Sequence, residues 1–86
     1  MENIKRINFE SSNLIVYVKV KGAYKYEALA SLKNFTIAPN LMYAALYPFE
    51  KLERIKEYLQ TVVTDQNIKF QVRSAKDRKT VLFQIN

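Results

Sequence analysis

Apolar and polar residues alternate at both ends of the chain, which is the pattern of half-buried β-strands. In the amino-terminal half the alternating apolar residues are Ile7, Phe9, Leu14, Val16, Val18 and Val20. A connection over residues 10–13 places Phe9 opposite Leu14, so that apolar side chains pair across the two strands. The pattern predicts an opening β-hairpin whose second strand ends at Gly22.

Helical spacing replaces this alternation in the middle of the chain. Residues 24–33 are predicted to form a short helix with Ala28, Leu29 and Leu32 on one side. A loop around Pro39 and a strand over residues 41–47 follow. A second helix is predicted to begin at Pro48, because a missing N–H costs nothing in a first turn. Its apolar residues are Phe49, Leu52, Ile55, Leu59, Val62 and Val63.

The chain closes on a second predicted hairpin. Counting inward pairs Ile68 with Ile85, Phe70 with Phe83, and Val72 with Val81, and leaves residues 74–79 as the loop. The order of elements is therefore β-β-α-β-α-β-β. We expect an α+β two-layer sandwich, a single domain over residues 1–86, with a mainly antiparallel sheet and two helices on one face.

The composition argues against catalysis. The chain has no cysteine and no histidine, so it lacks thiol nucleophiles, thiolate metal sites and the usual neutral-pH proton shuttle. A single glycine cannot form a glycine-rich phosphate loop. Small bacterial ribonuclease toxins cleave RNA without these residues, but they open with a strand and a helical hairpin. We expect a non-catalytic protein without cofactor, metal or small-molecule substrate.

The hydropathy pattern favours a cytoplasmic protein. The longest apolar run, residues 14–18, is far shorter than the roughly 20 residues of a membrane helix. The first ten residues are charged and alternating, unlike a signal peptide. We therefore expect no membrane partner.

An excess of positive charge points to polyanionic partners. Fourteen Lys and Arg against eight Asp and Glu give a net charge of +6, spread over both halves of the chain. Such a field attracts nucleic acid first, and acidic membrane or protein surfaces second. Alternatively, the positive charge only keeps the protein in solution and has no binding role.

Two segments combine this charge with suitable side chains. In the strand before Gly22, Tyr17, Lys19 and Lys21 point away from the valine face, and tyrosine with lysine suits base stacking and phosphate binding. The closing hairpin adds cations on its polar face and in its loop. The predicted nucleic-acid-binding residues are Tyr17, Lys19, Lys21, Lys25, Lys69, Arg73, Lys76, Arg78 and Lys79. If both hairpins join one sheet with the helices behind it, we expect one open face that holds Tyr17, Lys19, Lys21, Lys69, Gln71 and Arg73. Tyr43 and Tyr47 would add aromatic rings to this merged face.

From Leu14 onward, the predicted layout resembles those of the Alba chromatin proteins and of the C-terminal domain of translation initiation factor three. The half from Leu41 to Ile85 is similar to the double-wing DNA-binding domain of a phage middle-gene activator. These resemblances lie in the order of elements and carry no family motif. They imply a small basic nucleic-acid-binding protein. A regulator, a chromatin-type protein or a mobile-element accessory factor would fit the predicted DNA or RNA binding.

A protein-interaction module is the alternative interpretation, such as a phage or plasmid protein that docks on a host protein. Its cue is a set of apolar residues around the uncertain loop: Tyr24, Tyr26, Phe35, Ile37, Leu41, Met42 and Tyr43. Self-association as a homodimer is a further alternative, because open sheet edges can pair.

Overall fold

The structure is a computed structural model that describes residues 13–86. The predicted first strand, with Ile7 and Phe9, lies outside the described residues. The strands are β1 (Asn13–Lys19), β2 (Glu27–Ser31), β3 (Thr36–Ile37), β4 (Tyr47–Pro48), β5 (Lys69–Ser74) and β6 (Val81–Ile85). One α-helix, α1 (Leu52–Val62), follows a 3-10 turn over Phe49–Lys51.

The strands form an antiparallel sheet in the order β3-β2-β1-β5-β6, and β4 pairs with β1 beside β2. The predicted α+β class with a mainly antiparallel sheet is confirmed at this level. The two-helix layout is not, since the described residues contain a single α-helix.

The central strand β1 is buried on both sides. Its residues 14, 16 and 18 face α1, whereas Ile15 and Tyr17 face the opposite side, and all five are less than a tenth exposed. The main core lies between α1 and the sheet and contains Leu14, Val16, Val18, Leu29, Ile55, Leu59, Phe70 and Val72. A smaller cluster of Ile15, Tyr17 and Ala28 lies on the other side of the sheet.

The helix α1 agrees with its predicted position. Ile55 and Leu59 are buried against the sheet, and Pro48 immediately precedes the 3-10 turn that leads into the helix. Phe49 and Val62, which were expected on the core side, are 46% and 40% exposed. No helix in the described part of the chain is long and apolar enough to cross a membrane.

The predicted helix over residues 24–33 is wrong, because this segment contains strand β2. A short helix is marginal in isolation, so tertiary partners decide its conformation. Here β1 offers a free edge, and Tyr17 lies opposite Ala28 in the antiparallel register. The strand directs Leu29 into the main core and Ala28 into the smaller cluster.

The predicted strand over residues 41–47 is also wrong for most of its length. Leu41–Tyr43 is a 3-10 turn, which Asn40 caps by accepting a 2.9 Å hydrogen bond from the backbone N–H of Met42. Strand structure resumes only at Tyr47 and Pro48, which pair with the start of β1.

The closing hairpin forms, but with a different register. Phe70 lies opposite Ile85 and Val72 opposite Phe83, a shift of two residues from the predicted pairs. A bulge lies in the ladder after Val72, and the loop occupies residues 75–80. Ile68 precedes β5, and its carbonyl accepts a 2.9 Å hydrogen bond from the Asn86 side chain. Since this shift is even, Phe70, Val72, Phe83 and Ile85 stay on the predicted face. Val81 does not: after the bulge it lies opposite Arg73 instead of Val72, and it is 41% exposed.

A candidate nucleic-acid interface on the sheet

The sheet side opposite α1, here called the distal face, gathers residues from both predicted patches. In the β1–β5 register, Lys19 lies opposite Lys69 and Tyr17 opposite Gln71. Directly opposed residues share a face of an antiparallel pair, so these four side chains lie on one side. Ile15 and Arg73 complete the same face one pair further along. The two predicted patches are therefore adjacent in the fold.

Arg73 organises the centre of the distal face. Its guanidinium lies over the ring of Tyr17 at 4.2 Å from the centroid and over the ring of Tyr26 at 5.2 Å. The Nε–H donates to Gln71 Oε1 at 2.8 Å, and an Nη1–H donates to the Arg78 carbonyl at 3.2 Å. Five N–H donors are available on a guanidinium, so others stay free for a ligand.

Tyr17 does not offer an exposed ring. It is only 6% exposed, because it packs with Ile15 and Ala28 and lies under the Arg73 guanidinium. Tyr17 points away from the valine face, as predicted, but its covered ring does not offer the predicted stacking surface. Its place is structural: the ring supports the cation that lies above it.

An amide pair extends the distal face onto the edge strand β6. Gln71 lies opposite Gln84, and its Nε2–H donates to Gln84 Oε1 at 2.8 Å. The chain Arg73–Gln71–Gln84 thus links two strands through polar side chains. Gln84 was not predicted, because its contact with Gln71 depends on the shifted hairpin register.

Three lysines surround a groove where β1 ends and β5 begins. Lys19, Lys21 and Lys69 line it together with Gln66 and Asn67, and its volume is about 240 Å³. The Lys19 ammonium itself lies over the Tyr26 ring, 5.7 Å from the centroid, and the two neutral amides add hydrogen-bond donors to the lining. The groove is therefore cationic and rich in hydrogen-bond donors, as an anion-binding recess requires.

The hairpin loop carries the remaining cations at the other end of β5. Lys76, Arg78 and Lys79 are all exposed. Arg78 has a positive φ of 60° and lines two grooves, one beside Ile15 and one beside Lys25. The loop thus continues the cationic surface beyond the strands.

Asp77 fixes the shape of this loop. It accepts hydrogen bonds from the Thr80 hydroxyl and from the backbone N–H groups of Lys79 and Thr80. These bonds, the hydroxyl bond first, hold the pKa of its carboxyl well below the ordinary value. Its carboxylate oxygens thus accept hydrogen bonds from donors of the loop itself.

The acidic residues of the described range are spread over several elements. Of the six within residues 13–86, three belong to the helical segment, Asp77 lies in the hairpin loop, and Glu27 lines the groove that also contains Lys25 and Arg78. Within that range the one ion pair joins Glu53 to Lys56 at 3.2 Å. The eight predicted cationic site residues therefore form no ion pair with a described side chain.

The apolar residues that were considered as a protein-interaction surface do not form one patch. Phe35 and Ile37 line a groove on the helix side, next to Val62. Leu41 lines grooves on the distal side, whereas Tyr26 packs beneath Arg73. Tyr43 and Tyr47 were expected to add rings to the merged face. Tyr47 packs instead against the main core, and Tyr43 lies in the 3-10 turn outside the sheet and lines none of the cationic grooves described above.

Comparison with protein-family models, with curated proteins and with solved structures found no significant match. The layout on which the resemblance to known nucleic-acid binders rested includes the first predicted helix, which is a strand here.

Proposed function

We propose that this chain is a non-catalytic, cytoplasmic nucleic-acid-binding protein that contacts phosphates through the distal face and the β5–β6 loop. The proposal rests mainly on one observation: Lys19, Lys69 and Arg73 share the distal face, and none of them forms an ion pair with a side chain within residues 13–86. Ion pairs neutralise charge before a ligand arrives, so unpaired cations are the ones that can release counterions from a polyanion.

The arrangement of these cations suits a linear polyanion. Lys69 and Arg73 lie on one strand and point the same way, and the loop cations follow directly after it. A strand of this length spans roughly 20 Å at about 3.3 Å per residue. One strand of B-form DNA advances about 3.4 Å along the helix axis per phosphate, so the length of β5 corresponds to roughly six phosphates.

Two charge-matched triple variants test the proposal. One replaces Lys76, Arg78 and Lys79 with alanine, and the control replaces the exposed helix-side residues Lys33, Lys51 and Arg54. Both variants lower the net charge by the same amount. The loop hydrogen bonds of Arg78 use its backbone N–H and carbonyl, so truncating its side chain leaves them in place.

Fluorescence anisotropy with labelled DNA and RNA, measured across a salt series, is the readout. The loop variant should bind more weakly, and its logarithmic salt slope should fall by about two to three if all three cations contact phosphate. The helix-side variant should keep the wild-type slope. Equal losses in both variants would mean attraction by net charge alone, and absence of binding at low salt would refute the proposal. A protein partner would then become the leading alternative.

A further inference from the structure

The most exposed aromatic ring of the described residues belongs to Tyr24, which is 97% exposed. It lies in the turn between β1 and β2, with Lys21 and Lys25 close on either side in sequence. A ring this exposed buries almost nothing within the chain, so folding gains almost nothing from it.

The turn itself is formed by other residues. Gly22 adopts a φ of 91°, a conformation that glycine reaches without strain. The backbone N–H of Ala23 donates to the Val20 carbonyl at 3.0 Å and closes the bend. Neither interaction needs an aromatic side chain at position 24, so the turn presents this ring without depending on it.

Two cationic grooves of the distal side flank Tyr24 along the chain. Ala23, just before it, lines the groove that contains Lys19, Lys21 and Lys69. Lys25, just after it, lines the groove that contains Tyr17 and Arg78. Tyr24 therefore lies, along the chain, between residues that line two grooves containing predicted phosphate-binding cations.

We infer that Tyr24 is the base-stacking residue of this protein and that its ligand is single-stranded nucleic acid. The inference rests on the proposed function. The rings of Tyr17 and Tyr26 already have cations over them, whereas that of Tyr24 is open. A base can stack on an aromatic side chain only if it is not already stacked between neighbouring base pairs. Single strands provide such bases, whereas a continuous duplex does not.

Three probes of equal length separate stacking from charge: a labelled single strand, the same strand without bases, and the corresponding duplex. Each is prepared as DNA and as RNA where the chemistry allows, and the tighter form identifies the sugar. The wild type should prefer the single strand with bases. Tyr24→Ala should lower that affinity by about 5- to 150-fold, because stacking contributes roughly 1–3 kcal/mol per base. Tyr24→Phe should bind as the wild type does.

Tyr43 supplies the matched control. It is also an exposed tyrosine, at 59%, but it has no lysine beside it in sequence. Tyr43→Ala should leave affinity for the single strand unchanged. The chain contains no tryptophan, so Tyr24→Trp introduces a unique fluorophore whose emission should be quenched by the strand with bases and not by the abasic one. Tyr43→Trp should show no quenching with either.

These measurements distinguish failure of the Tyr24 stacking role from failure of the proposed nucleic-acid binding. Equal affinity for the strand with and without bases, or an unchanged affinity of Tyr24→Ala, would overturn the stacking role while phosphate binding stands. An equal loss in Tyr43→Ala would also overturn it. Absence of binding to every probe at low salt would instead refute the proposed function itself.

Discussion

Arg73 should stabilise the fold in addition to carrying charge, and a double-mutant cycle can measure that contribution. Arg73→Ala removes the cation from above the Tyr17 ring together with hydrogen bonds to the Gln71 side chain and the Arg78 carbonyl. Arg73→Lys keeps the positive charge but removes the planar, forked guanidinium that makes these contacts. The two variants therefore separate charge from geometry.

The expected loss of stability follows from these contacts. A partly desolvated cation–π contact contributes about 0.5–2 kcal/mol, and each hydrogen bond contributes about 0.5–1.5 kcal/mol net. Arg73 is half-buried and its bond to Arg78 is exposed, so the lower parts of these ranges apply. We expect Arg73→Ala to lower the free energy of unfolding by about 1–3 kcal/mol, and Arg73→Lys to lower it nearly as much.

Urea denaturation followed by circular dichroism measures this loss, and small domains usually unfold in the two-state manner that the measurement requires. Thermal unfolding should show a decrease in Tm of roughly 4–8 °C for each kcal/mol. Lys69→Ala, an exposed cation on the same strand, is the control and should change stability by less than about 0.5 kcal/mol.

The cycle combines Arg73→Ala with Tyr17→Leu. A coupling free energy of about 0.5–2 kcal/mol is expected from the stacked pair. A coupling below about 0.3 kcal/mol would be within ordinary additivity and would refute the stacking contribution. A fully stable Arg73→Lys variant would refute the geometric argument, since charge alone would then suffice.

Two further predictions concern the core and the hairpin loop. Leu59→Ala, at a fully buried position, should cost about 2–5 kcal/mol in urea denaturation, and a cost below about 1 kcal/mol would contradict its place at the centre of the core. The depressed pKa of Asp77 means that the loop is stabilised above the ordinary carboxyl pKa and loses this contribution as the pH falls through the folded-state value. Removing the hydroxyl bond by Thr80→Val should raise that pKa in an NMR titration, and an unchanged pKa would contradict the assigned cause.

The elements that periodicity predicts well are those with one long apolar stripe. Helix α1 satisfies this condition, because Ile55 and Leu59 repeat at helical spacing over a charged opposite face. The closing strands satisfy it as well, since Phe70 and Val72 alternate with polar residues. In both elements the buried residues were identified from the sequence, but Phe49, Val62 and Val81, predicted on the same faces, are 46%, 40% and 41% exposed.

The failures arise where local pattern and tertiary pairing disagree. The spacing of Ala28, Leu29 and Leu32 predicted a helix, yet residues 27–31 form strand β2, which pairs with an edge of β1. The hairpin register was wrong by two residues because apolar pairs match in both registers, and only the bulge and the Asp77 loop select between them. The exposure of Tyr17 could not be predicted from the sequence either. Alternation correctly directs this side chain away from the valine face, but Ile15, Ala28 and the Arg73 guanidinium cover it there.

The double burial of β1 explains how one small sheet can combine a core with a charged surface. Because the central strand is apolar on both faces, the distal face needs some cover, and Arg73 supplies it by laying a planar cation over Tyr17. A guanidinium can cover a ring while keeping free N–H donors, which an apolar side chain cannot do. The same side chain therefore shields the smaller cluster from water and presents positive charge outward. Binding and folding are thus expected to respond differently at position 73, with stability depending on the planar group and affinity depending on the charge.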